Sequence, residues 1–443
     1  MRRKIDAILD RWAQEGDARP LLVRGARRVG KTYAIRRLGE EAFGGDFAYC
    51  DFQANLERLE AVFAGPTDVA RIVADLELLL RRDIVPGRTL IAFDEVQLCE
   101  KALNALRFFA GSGYRVIATG SQLGLTLRHR ELPFPSDVTH VYLRPLDFEE
   151  FLWARGEERM AAAIRRAFDE RAPFAFHEEA LDLYRRYLVV GGMPAPARAF
   201  CEGGGLEEVR ALQAEIAQTY VADMALYAPA EETARIRAVW ASLPAQLTRE
   251  STAKFKYADV ASGGRERQLR GPLAWLEAAE LVLLNPQTND AQPPLTARGG
   301  GSFFKAYLLD AGILFYRLNL DGGIFLDASL RVSLSPWFRG ALAENYVMES
   351  LVANGVPTFY WTPGTSSSGE VEFVVQTRRG AIVPIEVKSG PNVRSRSLNA
   401  YRAKCGAEVA VRLSERNFGL EGGILSIPLY AAFCLDEAAL AAL

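Results

Sequence analysis

The stretch "LLVRGARRVGKTYAIRRLGEE", residues 21–41, decides how this chain begins to fold. An apolar run enters GARRVGKT, which fits G-x-x-x-x-G-K-[ST], and a helical pattern leaves it, the context in which this motif cradles phosphate. Gly25 and Gly30 let backbone N–H groups turn inward around phosphate oxygens. The helix starting near Lys31 aims the positive end of its dipole at the same place. Ala26, Arg27, Arg28 and Val29 complete the loop, with Tyr33 just beyond it. Lys31 is expected to reach the β- and γ-phosphates, and Thr32 to hold Mg²⁺.

The second half of the signature lies in "RTLIAFDEVQL" (88–98), an apolar strand ending in Asp94–Glu95. Asp94 is placed to act on the Mg²⁺ shell and Glu95 to polarise water. Capping acids at a helix start would explain one acid here, but not the phosphate loop upstream. "YRVIATGSQ" (114–122) is another buried strand, ending in Thr119, Gly120 and Ser121. Ser121 is a candidate cofactor contact that senses the γ-phosphate, or else a simple strand cap. "FAYCDF" (47–52) and "VTHVYL" (138–143) bring the strands to five. Strands alternating with helices predict an α/β fold, a P-loop parallel sheet with helices on both faces and ligand at the C-terminal strand edge. No NKxD motif reads guanine, so ATP with Mg²⁺ is the expected cofactor.

At 443 residues the chain has length for about three domains of ordinary size. With 49% hydrophobic and 24% charged residues it can build sizeable cores and shows no sign of disorder. A formal net charge of −2 excludes a wholly basic nucleic-acid coat. Any such surface must be local, as in residues 24–37 and 378–404, where Lys and Arg outnumber acids. The five cysteines (50, 99, 201, 405, 434) form no CxxC pair, and the three histidines share no metal-ligand spacing with them. Reduced core thiols in a cytoplasmic protein, without zinc, are therefore expected. "MRRKIDAILDRWAQEG" has no apolar signal core; Ile5, Ile8, Leu9 and Trp12 fall instead at helical spacing. No apolar run approaches 18 residues, so no membrane span is expected.

The order of "GARRVGKT", "IAFDEVQ", "IATGSQLG", "VYLRPLDFEEFLWARG", "YLVVGGMP" and "IAQTYVADMALY" resembles a widespread prokaryotic family over nearly the whole chain. Its members are AAA-type P-loop ATPases with a C-terminal domain of unknown function. The resemblance implies the Walker B role for Asp94 and the catalytic-glutamate role for Glu95. If such a protein forms a homo-oligomeric ring, an arginine completes a neighbour's ATP site; Arg128, Arg130 and Arg144 are candidates among which the sequence does not choose.

Beyond the ATPase core (1–145) the expected order is a helical lid and linker (146–230), a winged-helix-like domain (231–320) and a PD-(D/E)xK-like α/β domain (321–443). Asp147 and Glu150 form a capping-box pattern, and Phe148, Phe151 and Trp153 are expected to pack that helix onto the sheet. Gly191, Gly192 and Pro194 suggest a hinge. Residues 254–282 set Lys254, Lys256, Arg265, Arg267 and Arg270 around a helix whose other face holds Leu269, Leu273, Leu276 and Leu281. That pattern resembles a winged helix, used either in a DNA major groove or for packing alone.

The last third reads helix, three strands, helix. In "GEVEFVVQTRRGAIVPIEVKSG" (369–390), the order and "VEF…PIEVK" are similar to a restriction-endonuclease-like module. Its chemistry would need Glu372 and Glu386 as Mg²⁺ ligands, Lys388 to orient water or stabilise the phosphorane, and Glu344 to support the metal. The usual aspartate is replaced by Glu372, and Glu370 lies on the same strand face as a competitor. A half-buried hairpin with a solvated polar face is the plainer alternative. Three functions follow: an ATP-driven protein acting on nucleic acid, recognisable by salt-dependent DNA affinity; a nucleotide-dependent assembly switch, insensitive to DNA; and a metabolic kinase, disfavoured for want of a small-substrate site.

Overall fold

The computed structural model describes residues 1–15, 19–121, 137–249, 254–261, 264–289, 292–298, 303–362, 369–390, 396–407 and 409–443. The chain divides into two compact units. One comprises residues 2–144 with 278–280; the other comprises residue 1 with 145–277 and 281–443.

In the first unit five strands form one sheet: β1 (Leu21–Arg24), β2 (Phe47–Asp51), β3 (Leu90–Asp94), β4 (Arg115–Gly120) and β5 (Thr139–Tyr142), in the order β2-β3-β4-β1-β5. All neighbouring pairs are parallel. β3 and β4 are buried along their whole length, which is why they read as unbroken apolar runs rather than alternating ones. Phe52, Phe63, Phe93 and Phe109 fill one side of this core, with T-shaped contacts between Phe93 and each of the other three. The P-loop strand β1 lies between β4 and β5, beside the reversal of strand order at whose C-terminal edge open α/β sheets take ligand.

The second unit begins with the helix Phe148–Ala154. Its capping box forms as the sequence suggests: Glu150 N donates to Asp147 Oδ1 at 2.9 Å and Asp147 N donates to Glu150 Oε2 at 3.1 Å. The aromatics of this helix go elsewhere than expected. Phe148 packs on Tyr184, Tyr187 and Phe433, and Phe151 on Tyr187 and Phe200, so the helix is anchored within its own unit.

The expected hinge at Gly191–Gly192 is corrected by its packing. A Cβ on Gly191 would lie 2.4 Å from Asp310 Oδ1, and one on Gly192 would lie 1.9 Å from Leu146 O. These glycines permit close approach of backbones, with Gly191 at φ 78°. Gly192 N donates to Asp310 Oδ2 at 2.6 Å, Leu146 N donates to Gly192 O at 2.7 Å, and Gln213 Nε2 donates to Val189 O at 2.8 Å. A hinge needs backbone freedom, and this loop is a lock.

Asp310 is fully buried, and it also caps the helix Ala311–Arg317 through Ile313 N at 2.8 Å. Burial pushes its carboxyl up to about 6, against the opposing N–H groups of Gly192 and Ile313. A raised acid pKa means stability that is complete below the unfolded value and lost as pH rises through the folded one, here between about 4 and 6. Wild type is therefore expected to gain about 1 kcal/mol relative to Asp310→Asn between pH 7 and pH 5. Urea unfolding of both proteins at the two pH values measures it.

Eight strands form the other sheet: β6 (Val282–Thr288), β7 (Phe304–Leu308), β8 (Thr358–Trp361), β9 (Val371–Gln376), β10 (Ile382–Val387), β11 (Ala410–Ser414), β12 (Gly419–Glu421) and β13 (Ile424–Pro428). Their order is β12-β13-β11-β10-β9-β8-β6-β7. β8, β9 and β10 are an antiparallel meander, and the helix Arg396–Cys405 crosses to β11, parallel to β10. The β6–β7 hairpin follows the helices Ala230–Leu247 and Glu266–Ala278 in the order expected of a winged helix. It does not project as a free wing. β6 pairs in parallel with β8 through Gln287↔Tyr360 and Thr288↔Trp361, so one sheet runs across residues 320/321, where the sequence suggested a boundary. The outer strand β7 is met by the helix Pro336–Ala353, whose Asn345 accepts from Leu308 N at 2.9 Å and donates to Leu308 O at 3.0 Å.

Candidate functional site

The loop after β1 has the geometry its sequence demands. Gly25 stands at φ 155° and a Cβ there would lie 2.1 Å from Leu143 O; Gly30, at φ 99°, is the N-cap of the helix Lys31–Glu41. Arg28, between them, also adopts a positive φ of 70°. Lys31 is 5% exposed, and its Nζ donates to Gly25 O at 3.0 Å and Ala26 O at 2.8 Å. Burial lowers its pKa from the ordinary lysine value, opposed by the negative charges of Glu95, Glu280 and Asp94. The ammonium is thus held inside the loop, on carbonyls that an anion's oxygens can replace.

Asp94, at the end of β3, is the hub of three hydroxyls. Thr32 Oγ1 donates to Asp94 Oδ2 at 2.8 Å, Tyr49 OH to the same oxygen at 2.5 Å, and Thr119 Oγ1 to Oδ1. Glu95 takes a left-handed backbone conformation, φ 56° and ψ 44°, fixed by its N–H donating to Thr119 Oγ1 at 3.1 Å. Its Oε2 accepts from Ser121 Oγ at 2.7 Å and from Gln97 Nε2 at 2.6 Å. Lys31, Thr32, Asp94, Glu95 and Ser121 therefore meet on three adjacent strand ends. The sequence analysis missed Tyr49, which only the pairing of β2 with β3 brings beside Asp94. Tyr33 is exposed. Arg144 lies 4.0 Å from Glu280 of the same unit, while Arg128 and Arg130 fall outside the described residues.

The second cluster sits on β7, β9 and β10 and on the helix Pro336–Ala353. Lys388 Nζ lies 3.3 Å from Glu386 Oε1 and 3.6 Å from Glu372 Oε1. Glu372 Oε2 also accepts from Val387 N at 3.1 Å. Burial raises the Glu372 carboxyl to about 7, with Lys388 opposing the shift and Glu344 adding to it. Glu386 is 1% exposed, and its Oε2 has no hydrogen-bond partner among the described residues. Glu344 does not join this pair directly: its Oε2 lies 3.0 Å from Lys305 Nζ and accepts from Tyr307 OH at 3.1 Å. Glu370 Oε1 lies 2.5 Å from the same Lys305. Among the described residues no three His, Cys, Asp or Glu groups gather as a metal-holding set, so the expected triad of Glu344, Glu372 and Glu386 is split between two lysines. Asn285 of β6 donates to Glu372 O at 3.0 Å.

Lys305 and Tyr307 are not among the residues that the sequence analysis singles out. The available signal was the lysine itself, since a charge inside an apolar strand requires a buried counter-charge. Cys50, Cys99, Cys201 and Cys434 are free thiols, and no described helix is long and apolar enough to cross a membrane.

Three family models match the chain: an AAA domain over residues 17–152, a domain of unknown function (DUF8612) over 181–323, and a domain of unknown function (DUF4143) over 339–431. No curated protein matches significantly. Among solved structures, the chain is similar to the Aeropyrum pernix ORC1 protein in complex with DNA, at 15% identity and TM-score 0.29, covering 72% of this chain and 93% of that one. It is similar also to Cdc6p from Pyrobaculum aerophilum (12%, TM-score 0.26, covering 71% and 91%) and to Drosophila ORC bound to DNA (15%, TM-score 0.27, covering 71% and 85%). Similarities this low carry no argument, and the AAA domain match stands on its own.

Proposed function

We propose, from the AAA-type P-loop domain of residues 17–152, that this chain binds ATP with Mg²⁺, hydrolyses it, and uses the cycle to act on nucleic acid. The observation that carries the hydrolytic part is the pair of strand-end acids. Asp94 is held by three hydroxyls, and the adjacent Glu95 is held by Ser121 and Gln97, beside a buried lysine. The residues fit the cofactor: a cradle in which Gly25 has no room for a Cβ, and hard oxygen donors on Thr32 and Asp94 that suit Mg²⁺. Bound Mg²⁺ neutralises charge on the β- and γ-phosphate oxygens. Thr32 and Asp94 would hold it, Lys31 would exchange its two carbonyl acceptors for phosphate oxygens, and Glu95 would accept a hydrogen bond from the attacking water.

Calorimetric titration with ATP and Mg²⁺ tests the binding step. Lys31→Ala is expected to weaken it roughly 10- to 100-fold, the worth of a charge-assisted hydrogen bond; an unchanged affinity would move the site elsewhere. Ser121→Ala frees one side of the Glu95 carboxylate. It is expected to slow turnover roughly tenfold while leaving affinity intact, as measured by phosphate release at saturating ATP.

The nucleic-acid part is supported by Lys256, Arg265, Arg267 and Arg270, all exposed around the helix Glu266–Ala278, whose Leu269, Leu273 and Leu276 are buried. Duplex affinity is then expected to fall with salt, with a log–log slope of roughly −0.9 per phosphate contact. ATP-dependent self-association with no response to DNA would favour the assembly switch. One observation favours a further reading, Mg²⁺-dependent phosphodiester cleavage by the C-terminal module: Lys388 bridges Glu372 and Glu386 on adjacent strands, with Glu386 Oε2 unpartnered. Those two carboxylates would hold the ion and Lys388 would orient water. Cleavage of labelled single-stranded, duplex and branched DNA, lost in Lys388→Ala, is the result this reading requires.

A further inference from the structure

Lys305 supplies the C-terminal cluster with a second cation. Its side chain is 1% exposed, with Nζ 2.5 Å from Glu370 Oε1 and 3.0 Å from Glu344 Oε2. Three elements converge on it: β7 brings Lys305, the helix Pro336–Ala353 brings Glu344, and the residue entering β9 is Glu370. Tyr307, two positions along β7 and so on the same strand face, donates to the Glu344 oxygen that Lys305 holds. Among the described residues, Glu370 Oε2 and Glu386 Oε2 are both buried without a hydrogen-bond partner, while the other oxygen of each carboxylate faces Lys305 or Lys388. With all four carboxylates ionised, two lysines leave two negative charges, which a single divalent cation would balance.

We propose that Lys305 is a resident cation, standing where a metal ion would otherwise bridge Glu344 and Glu370, so that only the Glu372–Glu386 pair is left to take a divalent cation. The separation between the lysines' partners supports this division. Lys305 takes the carboxylates of the helix and the β9 entry, and Lys388 those on the facing positions of β9 and β10. Lys388 keeps partial exposure, whereas Lys305 is enclosed between its two carboxylates. The module is thereby restricted to one divalent ion. This deepens the cleavage reading above, but its test does not depend on cleavage.

The test is Mn²⁺ titration of the full chain, read by the electron spin resonance of free Mn²⁺, together with thermal unfolding in the same series. Lys305→Met is expected to bind one more Mn²⁺ per chain than wild type, and added Mn²⁺ should raise its midpoint more than that of wild type. Lys305→Arg keeps the cation and should keep the wild-type stoichiometry. Adding Glu370→Gln to Lys305→Met should remove the extra ion, and Glu386→Gln alone should remove the one that wild type binds in this module. The P-loop contributes equally in every variant, so differences report the C-terminal cluster. A folded Lys305→Met with wild-type stoichiometry overturns the proposal. So does a Lys305→Met that fails to fold and is not restored by Mn²⁺. Mn²⁺ binding unaffected by Glu386→Gln overturns the assignment of the remaining site. Absence of DNA cleavage, with the stoichiometry changed as expected, would end the cleavage reading and leave the resident cation standing.

Discussion

Glu95→Gln is expected to bind ATP about as well as wild type and to hydrolyse it a hundredfold or more slowly, the scale of a lost general base. The amide has the size of the carboxylate and can still accept from Ser121 and Gln97, so the left-handed turn at Glu95 and the phosphate loop need not move. What disappears is the negative charge that draws a proton from water. Asp94, one residue earlier, is not expected to replace it, because in the proposed site its carboxylate would hold Mg²⁺ together with Thr32. Single-turnover phosphate release, with affinity measured separately, distinguishes the two steps. A variant that turns over at the wild-type rate would assign the water to another group.

Gly192→Ala is expected to leave no folded second unit. Its Cβ would sit 1.9 Å from Leu146 O and 2.9 Å from Leu146 N, and backbone cannot yield as a flexible side chain can. Moving it breaks the hydrogen bond from Leu146 N to Gly192 O and pulls Gly192 N from Asp310. A buried donor and acceptor left unpaired cost about 1–3 kcal/mol each, before any strain is counted. The sum rivals the whole stability of a typical domain. Soluble yield and the urea midpoint report it. Folding of Gly192→Ala with a near-native midpoint would restore the hinge interpretation.

The contrast between these two positions explains what the sequence disclosed. Gly25, Gly30, Lys31 and Thr32 are legible because phosphate binding imposes residue types at fixed spacing within one turn of chain. Strands β1, β3 and β4 were readable for a related reason, since strands buried on both faces cannot hide their apolar character. Gly191 and Gly192 were equally visible, but a glycine pair marks either freedom or crowding. Only the approach of Asp310 and Leu146, far off in sequence, decides between them. Of the C-terminal strands, β8, β9 and β10 were legible one by one, while β11, β12 and β13 were not read as strands. The pairing of β6 with β8 was not legible, because it rests on two register pairs between strands separated by β7 and five described helices. Lys305 was lost with it. Until the hairpin joins the sheet, nothing indicates that this lysine and Glu344 share a site, or that Glu344 is drawn away from Glu372 and Glu386.

The most direct measurement is steady-state phosphate release from ATP by the wild-type chain, with and without Mg²⁺, beside Lys31→Ala. Release that requires Mg²⁺ and vanishes in the variant is the predicted result. ATP bound tightly with no release, or release unchanged by Lys31→Ala, would contradict the assignment of Lys31, Asp94 and Glu95 to an ATP-hydrolysing site.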